Sequence, residues 1–209
     1  MSRTFPTILL FTSALSFLCA PHLAQAEEER GGAFLVAGKV GGIAPITRLT
    51  PHAIGAVELG YFFGSSRALF AHLETSYAVP QVSGTDPDPR VPGESYDWEL
   101  WQKQLVFQPT IGYRFNQLFW KVTPYAGIGP RLYLLETVTE GAADGQDFGT
   151  TKETSTMVGF GIPVGAELEL GPGGVFAELQ FQWAPLDHRI TGDSNLGSGN
   201  LFLGYRAQF

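Results

Sequence analysis

Between residues 34 and 209 apolar side chains recur at every second position in one segment after another, a period that belongs to β-strands with two chemically different faces. Eight such segments can be marked, at 34–42, 53–62, 67–79, 98–115, 119–137, 152–170, 175–183 and 200–209. The connections between them alternate in length. Gly64-Ser65-Ser66, Asn116-Gln117-Leu118 and Gly171-Pro172-Gly173-Gly174 are tight turns, whereas the stretch holding Pro45 and Pro51, and those at 80–97, 138–151 and 186–198, are long and polar. An even number of antiparallel strands joined this way puts every long loop at one end and every short turn at the other. The chain is therefore expected to be all-β, an eight-stranded antiparallel up-and-down barrel closed by pairing 200–209 with 34–42.

Which face points inward decides the environment of such a barrel. A lipocalin-like barrel is apolar inside and polar outside, and a transmembrane barrel inverts that pattern. Here one face carries Leu, Val, Ile, Phe and Tyr in an unbroken band, as with Val57, Leu59, Tyr61 and Phe63, or Val175, Leu179, Phe181 and Trp183. The other carries the charges, and in the fifth, sixth and eighth segments many of the glycines beside them. Eight strands enclose a lumen barely wide enough for side chains, so glycine next to Arg or Glu marks the inward face. Tyr61, Tyr77, Tyr113, Trp120, Trp183 and Phe209 lie near segment ends, where aromatic girdles meet the two membrane surfaces. Pro109, Pro124, Pro130 and Pro163 fall inside strands, and since each removes a ladder donor they are expected at bulges or at the ends of pairing.

Upstream, Arg3 precedes an apolar run at 8–18 and the small-x-small pattern Ala24-Gln25-Ala26, so residues 1–26 read as a cleaved signal peptide and 27–209 as one domain. The run is too short to span a bilayer as a helix. Cys19 is the single cysteine, and Leu18 before it does not fit a lipoprotein signal. A mature chain starting at Glu27 has no disulfide and, without Arg3, a formal charge of −8, with no basic cluster for nucleic acid.

The strands, the Gly171–Gly174 turn and the ending Tyr205-Arg206-Ala207-Gln208-Phe209 together resemble the small eight-stranded outer-membrane barrels of Gram-negative bacteria, similar to the OmpA membrane domain, OmpX and OmpW. The resemblance implies an integral outer-membrane protein with both termini periplasmic, in contact with outer-membrane lipids and lipopolysaccharide. It implies an assembly signal at Tyr205 and Phe209 read by the barrel assembly machinery. A monomer is the default expectation, and with the chain ending at Phe209 no peptidoglycan-binding domain like that of the two-domain relatives is expected.

The inward face is expected to hold Lys39, Arg114, Lys121, Arg131 and Arg206 against Glu58, Glu74, Glu167, Glu169 and Glu178. Near balance of sign points to a salt-bridged plug, because a buried charge is costly unless paired. The alternative is a narrow selective pore. His72, Glu74 and Ser76 share the inward face, a residue set seen in barrel enzymes that deacylate lipid, but two-residue spacing on one strand and a lumenal position do not suit catalysis. Asp187 with His188, and Asp86, Asp88 and Glu94, read as solvated loop residues rather than metal ligands. No phosphate loop, metal-ligand cluster or nucleophile elbow is present, so no enzyme activity, cofactor or metal is expected. The expected role is structural or surface-interactive, with a small pore or lateral path for small or apolar solutes as the alternative and lipid modification third.

Overall fold

The computed structural model describes residues 31–115, 120–144, 146–185 and 194–209. Nine antiparallel strands run as β1 (Ala33–Pro45), β2 (His52–Phe63), β3 (Leu69–Ala78), β4 (Gln81–Pro87), β5 (Ser95–Arg114), β6 (Val122–Ala143), β7 (Gln146–Leu170), β8 (Gly173–Trp183) and β9 (Ser198–Gln208). Each pairs with its sequence neighbour, except that β3 and β4 pair with β5 and not with each other, and β9 returns to β1. At that seam Val36 faces Ala207 and Val40 faces Leu203, and Phe34 and Phe209 exchange two backbone hydrogen bonds of 2.9 Å. Residue 209 thus closes the ring, as the alternation of segments implies.

β3 and β4 are one stave. Pro80, with no N–H to donate, separates them, and the Gln102 N–H bonds to the Pro80 carbonyl at 2.9 Å as β5 passes from one to the other. The closed wall therefore has eight staves. Short turns use the left-handed backbone: Gly64 and Arg67 between β2 and β3, Trp120 and Lys121 before β6, and Gly171 between β7 and β8 all have positive φ.

Two expected loops are strands. Residues 81–87 pair with the start of β5, Gly84 facing Trp98, and β6 and β7 continue to Ala143 and from Gln146. These stretches lie beyond the apolar band, where Val138 and Ala143 are buried but the polar and small residues between them break the hydrophobic alternation that reveals a strand. β5, β6 and β7 have 20, 22 and 25 residues against 10 to 13 for β1, β2, β3, β8 and β9. Roughly ten extra residues at about 3.3 Å each raise a four-stranded sheet, β4 to β7, about 30 Å along the strands beyond the rim.

The exterior is the apolar band: Val40, Leu59, Ile111, Ile128, Val158 and Leu203 all face outward and exposed. Aromatic rings edge it, Phe34, Tyr61 and Phe63 in a row at the short-turn end and Phe160 against Trp183 near the other. The strand prolines neither bulge the wall nor end it. Pro109 stands opposite Pro130, and the ladder lapses from Gln108 to Thr110 before resuming in the same register. The register shift comes instead between Glu140 and Ala142. The expected signal peptide, the turn at Asn116-Gln117-Leu118, Phe119, Asp187 and His188 lie outside the described residues.

Candidate functional site

Alternation along each stave sends its even or odd positions into the lumen, and among the described residues every stave contributes one buried charge. Lys39 comes from β1, Glu58 from β2, Glu74 from β3, Arg114 from β5, Arg131 from β6, Glu167 from β7, Glu178 from β8 and Arg206 from β9. Four cations meet four anions. Lys39 is the hub: its Nζ donates to Glu58 Oε1 at 2.7 Å, Glu74 Oε2 at 2.7 Å and Glu178 Oε1 at 2.6 Å, using all three protons. Arg206 links Glu167 at 2.9 Å to Glu58 at 2.8 Å, and Arg114 adds a contact to Glu167 at 3.3 Å. Arg131 lies 3.7 Å from Glu74 and donates to Gln108 at 2.6 Å.

Uncharged inward residues fill the remaining valences. The Tyr125 hydroxyl donates to Glu178 at 2.8 Å, Gln180 donates to Glu74 at 2.8 Å, and Arg131 donates to Ser76 at 3.3 Å. Rings take the unused faces of the cations, with Lys39 4.6 Å from the Phe202 centroid and Arg206 4.6 Å from that of Phe176. Glycine makes the room. A Cβ on Gly165 would stand 2.6 Å from the Tyr125 hydroxyl, and one on Gly204 would stand 2.6 Å from the Phe176 ring.

Two expected members of the network are exposed and not buried with it. Lys121 precedes β6 in a turn with φ of 68°, exposed at the short-turn end, and its carbonyl accepts the Glu169 N–H at 3.2 Å. Glu169 has inward parity but sits in the last residues of β7, past the lumen, and is exposed. Period two fixes a side and not a depth. The lumen is also less polar than its charges imply. Leu35, Phe62, Phe70 and Phe176 form an apolar plug toward the short-turn end, and Tyr133, Leu135 and Leu196 form another toward the opposite rim. Phe62 and Phe70 share the inward parity of Glu58 and His72, which is the signal that locates them. A void between Ile43, Gln104, Gln182, Leu196 and Ser198 has no room for a water molecule.

His72 is buried and stacked on Phe70 at 5.5 Å, with neither ring nitrogen hydrogen-bonded. It therefore makes no bond to Ser76, and the nucleophile–base pairing that hydrolysis needs is missing from this trio. Glu58, His72 and Glu74 have ligand atoms within 4.8 Å of one another, a spacing that suits a metal, but the Lys39 ammonium already bonds to both carboxylates there. Tyr205 and Phe209 face outward at the closing seam, and the Tyr205 hydroxyl donates to the Leu170 carbonyl at 3.3 Å.

An apolar exterior around a charged, filled interior, closed by eight antiparallel staves, is the build of the small outer-membrane β-barrels. Solved structures share it. The Neisserial surface protein A (NspA) superposes with a TM-score of 0.51 at 18% identity over 86% of this chain and 99% of its own. A major outer membrane protein from Thermus thermophilus gives 0.58 at 13% identity, over 85% and 100%. The outer membrane protein OprG from Pseudomonas aeruginosa gives 0.51 at 10%, over 86% and 97%. No family model and no curated protein matches the sequence, so the likeness is one of fold.

Proposed function

We propose that this protein is an integral outer-membrane barrel whose lumen is sealed and whose work is done at its surface, as a structural or interaction protein without enzymatic activity. In this reading the short turns and both chain ends are periplasmic and the tall β4–β7 sheet is extracellular. Outer-membrane lipid and lipopolysaccharide surround a single barrel, and the assembly machinery engages the Tyr205–Phe209 strand. The observation that carries the sealed lumen is the Lys39 hub, three carboxylates from three staves meeting one ammonium in a space with apolar plugs on both sides. Single-channel recording of the protein in planar bilayers tests it: no unitary openings are expected. Reproducible openings that change selectivity in Arg131→Gln or Glu167→Gln would replace the plug with a pore.

One observation favours a second reading, a lateral path for apolar solutes. Pro109 opposite Pro130 leaves a lapse in the β5–β6 ladder, beside an apolar outer groove of about 800 Å3 that takes in Phe34, Leu59, Leu73 and Ile111. A disulfide between Ile111→Cys and Ile128→Cys, which face each other, would lock that seam. Uptake of an apolar dye into proteoliposomes that stops on oxidation and returns on reduction would establish the path.

A further inference from the structure

The protruding sheet has two edges, and they are unlike. β4 is seven residues long and ends in Pro87, and its first carbonyl, on Gln81, already accepts from the Thr50 N–H at 3.0 Å and the Thr50 hydroxyl at 2.5 Å. Both features blunt a sheet edge. β7 is not blunted. Its pairing with β8 stops at Phe160 opposite Trp183, while its pairing with β6 runs on to Gln146. Residues 146–158 therefore have no strand on their second side among the described residues. That stretch has no proline and one lysine, Lys152, and four of its thirteen residues are threonines, at 150, 151, 154 and 156, whose branched side chains hold an extended backbone.

Charge sets this sheet apart from the lumen. Residues 81–103 and 136–158 hold ten acidic side chains and three basic ones, a formal −7, so almost the whole charge of the mature chain stands on the protruding part. Beside the open edge are Asp147 and Glu153, and one strand further in Glu140 faces Glu99 directly. Like charges opposite one another in a ladder are destabilising, and a cationic neighbour relieves them. A field of this sign draws cations at long range.

We propose that the edge of β7 that no described strand covers, residues 146–158, is a docking site for an extended cationic segment of another protein, which adds as a fifth strand to the protruding sheet. Backbone pairing supplies the attachment and the acidic sheet selects the partner, the division of roles seen in strand addition generally. Lys152 and Glu153 point to opposite faces of β7, and Glu140, opposite Thr150, and Glu136, opposite Thr154, share the Lys152 face, so the fitting segment carries its positive charges on alternate residues, on that face. The proposal rests on the sheet lying outside the membrane, as proposed above.

The test uses the barrel in lipid nanodiscs and a decapeptide of alternating lysine and threonine. Hydrogen exchange of the free protein should show fast-exchanging amides within 146–158, slowed when the peptide binds. The affinity should fall as salt is raised, and fall at least tenfold for a peptide N-methylated at alternate residues, for a glutamate–threonine counterpart and for Glu140→Lys. Protection of 146–158 before peptide is added would mean the edge is already covered and would overturn the proposal. Equal binding of the N-methylated peptide would reduce it to charge attraction, and equal binding of the acidic peptide would remove the charge selection. Channel openings in the bilayer experiment would defeat the sealed lumen without touching this result, so the two can fail separately.

Discussion

The lumen and the protruding sheet are built from the same strands, β5, β6 and β7, yet they treat charge in opposite ways. In the lumen four cations and four anions arrive one per stave, are buried, and meet at 2.6 to 3.7 Å. On the sheet ten acidic groups face three basic ones in water. The difference follows from solvent. Where a charge loses its water it must find a partner, so composition is constrained to balance. Where it keeps its water an excess costs little, and the sign is free to serve encounter with something else. A stave thus pairs its charges below the rim and leaves them in water above it.

The largest expected effect breaks this comparison at its hub. Lys39→Ala leaves Glu58, Glu74 and Glu178 facing one another without their common donor. Removing one partner of a buried set costs about 3–5 kcal/mol, to be read from urea unfolding of the barrel in lipid vesicles. A loss below about 1 kcal/mol would mean that the lumen charges behave like surface pairs.

Packing gives the next effect and separates a crowded position on the inward face from an open one on the outward face. Gly165→Val forces a side chain against the Tyr125 hydroxyl and should destabilise by about 1–3 kcal/mol. Gly199 has no atom within 4 Å of the place a Cβ would take, and Gly199→Ala should stay within about 0.5 kcal/mol of the parent. Equal effects at both sites would show that the lumen is looser than its contacts imply.

Much of this is legible in the sequence because burial and period two act together inside a membrane. Eight staves, their order, the inverted faces and eight of the ten expected lumen charges follow from alternation. Lys121 and Glu169 escape it because parity does not say where a strand leaves the lumen. The sheet at 81–103 and 136–158 reads largely as loop because its few buried apolar residues, Leu100, Val138 and Ala143, stand among charged and polar ones, so no sustained apolar alternation marks it. Phe62, Phe70 and Phe176 are hidden on the inward face by the expectation of a polar lumen, although an eight-stranded barrel must be filled by volume as well as by charge.

On the wet side the same chemistry is worth less. Lys103 and Glu136 lie 2.7 Å apart on neighbouring strands at the foot of the sheet, with side chains 46% and 38% exposed. Lys103→Ala should cost no more than about 1 kcal/mol, and the difference should shrink in high salt. A loss as large as that of Lys39→Ala would erase the distinction between the two regions.

The smallest effect is at the tip of the β4–β5 hairpin, where Arg90 Nε donates to Asp88 Oδ1 at 2.9 Å, Arg90 Nη2 donates to Oδ2 at 2.7 Å, and the Arg90 backbone N–H adds a bond to Oδ1 of 3.0 Å. These bonds favour the charged carboxylate and hold its pKa down to about 2, below the ordinary 3.8. A folded value below the unfolded one means that the contribution is complete above about pH 4 and is lost as the pH falls toward 2. A carboxyl-carbon NMR titration should find the Asp88 midpoint near the lower value, moving up in Arg90→Ala. High salt should weaken the pair, because water reaches it, whereas the sealed Lys39 hub should not respond to salt. An Asp88 midpoint at the ordinary value with Arg90 present would mean that even this bidentate contact is not held in solution, and would leave the tip as open to a cationic partner as the rest of the sheet.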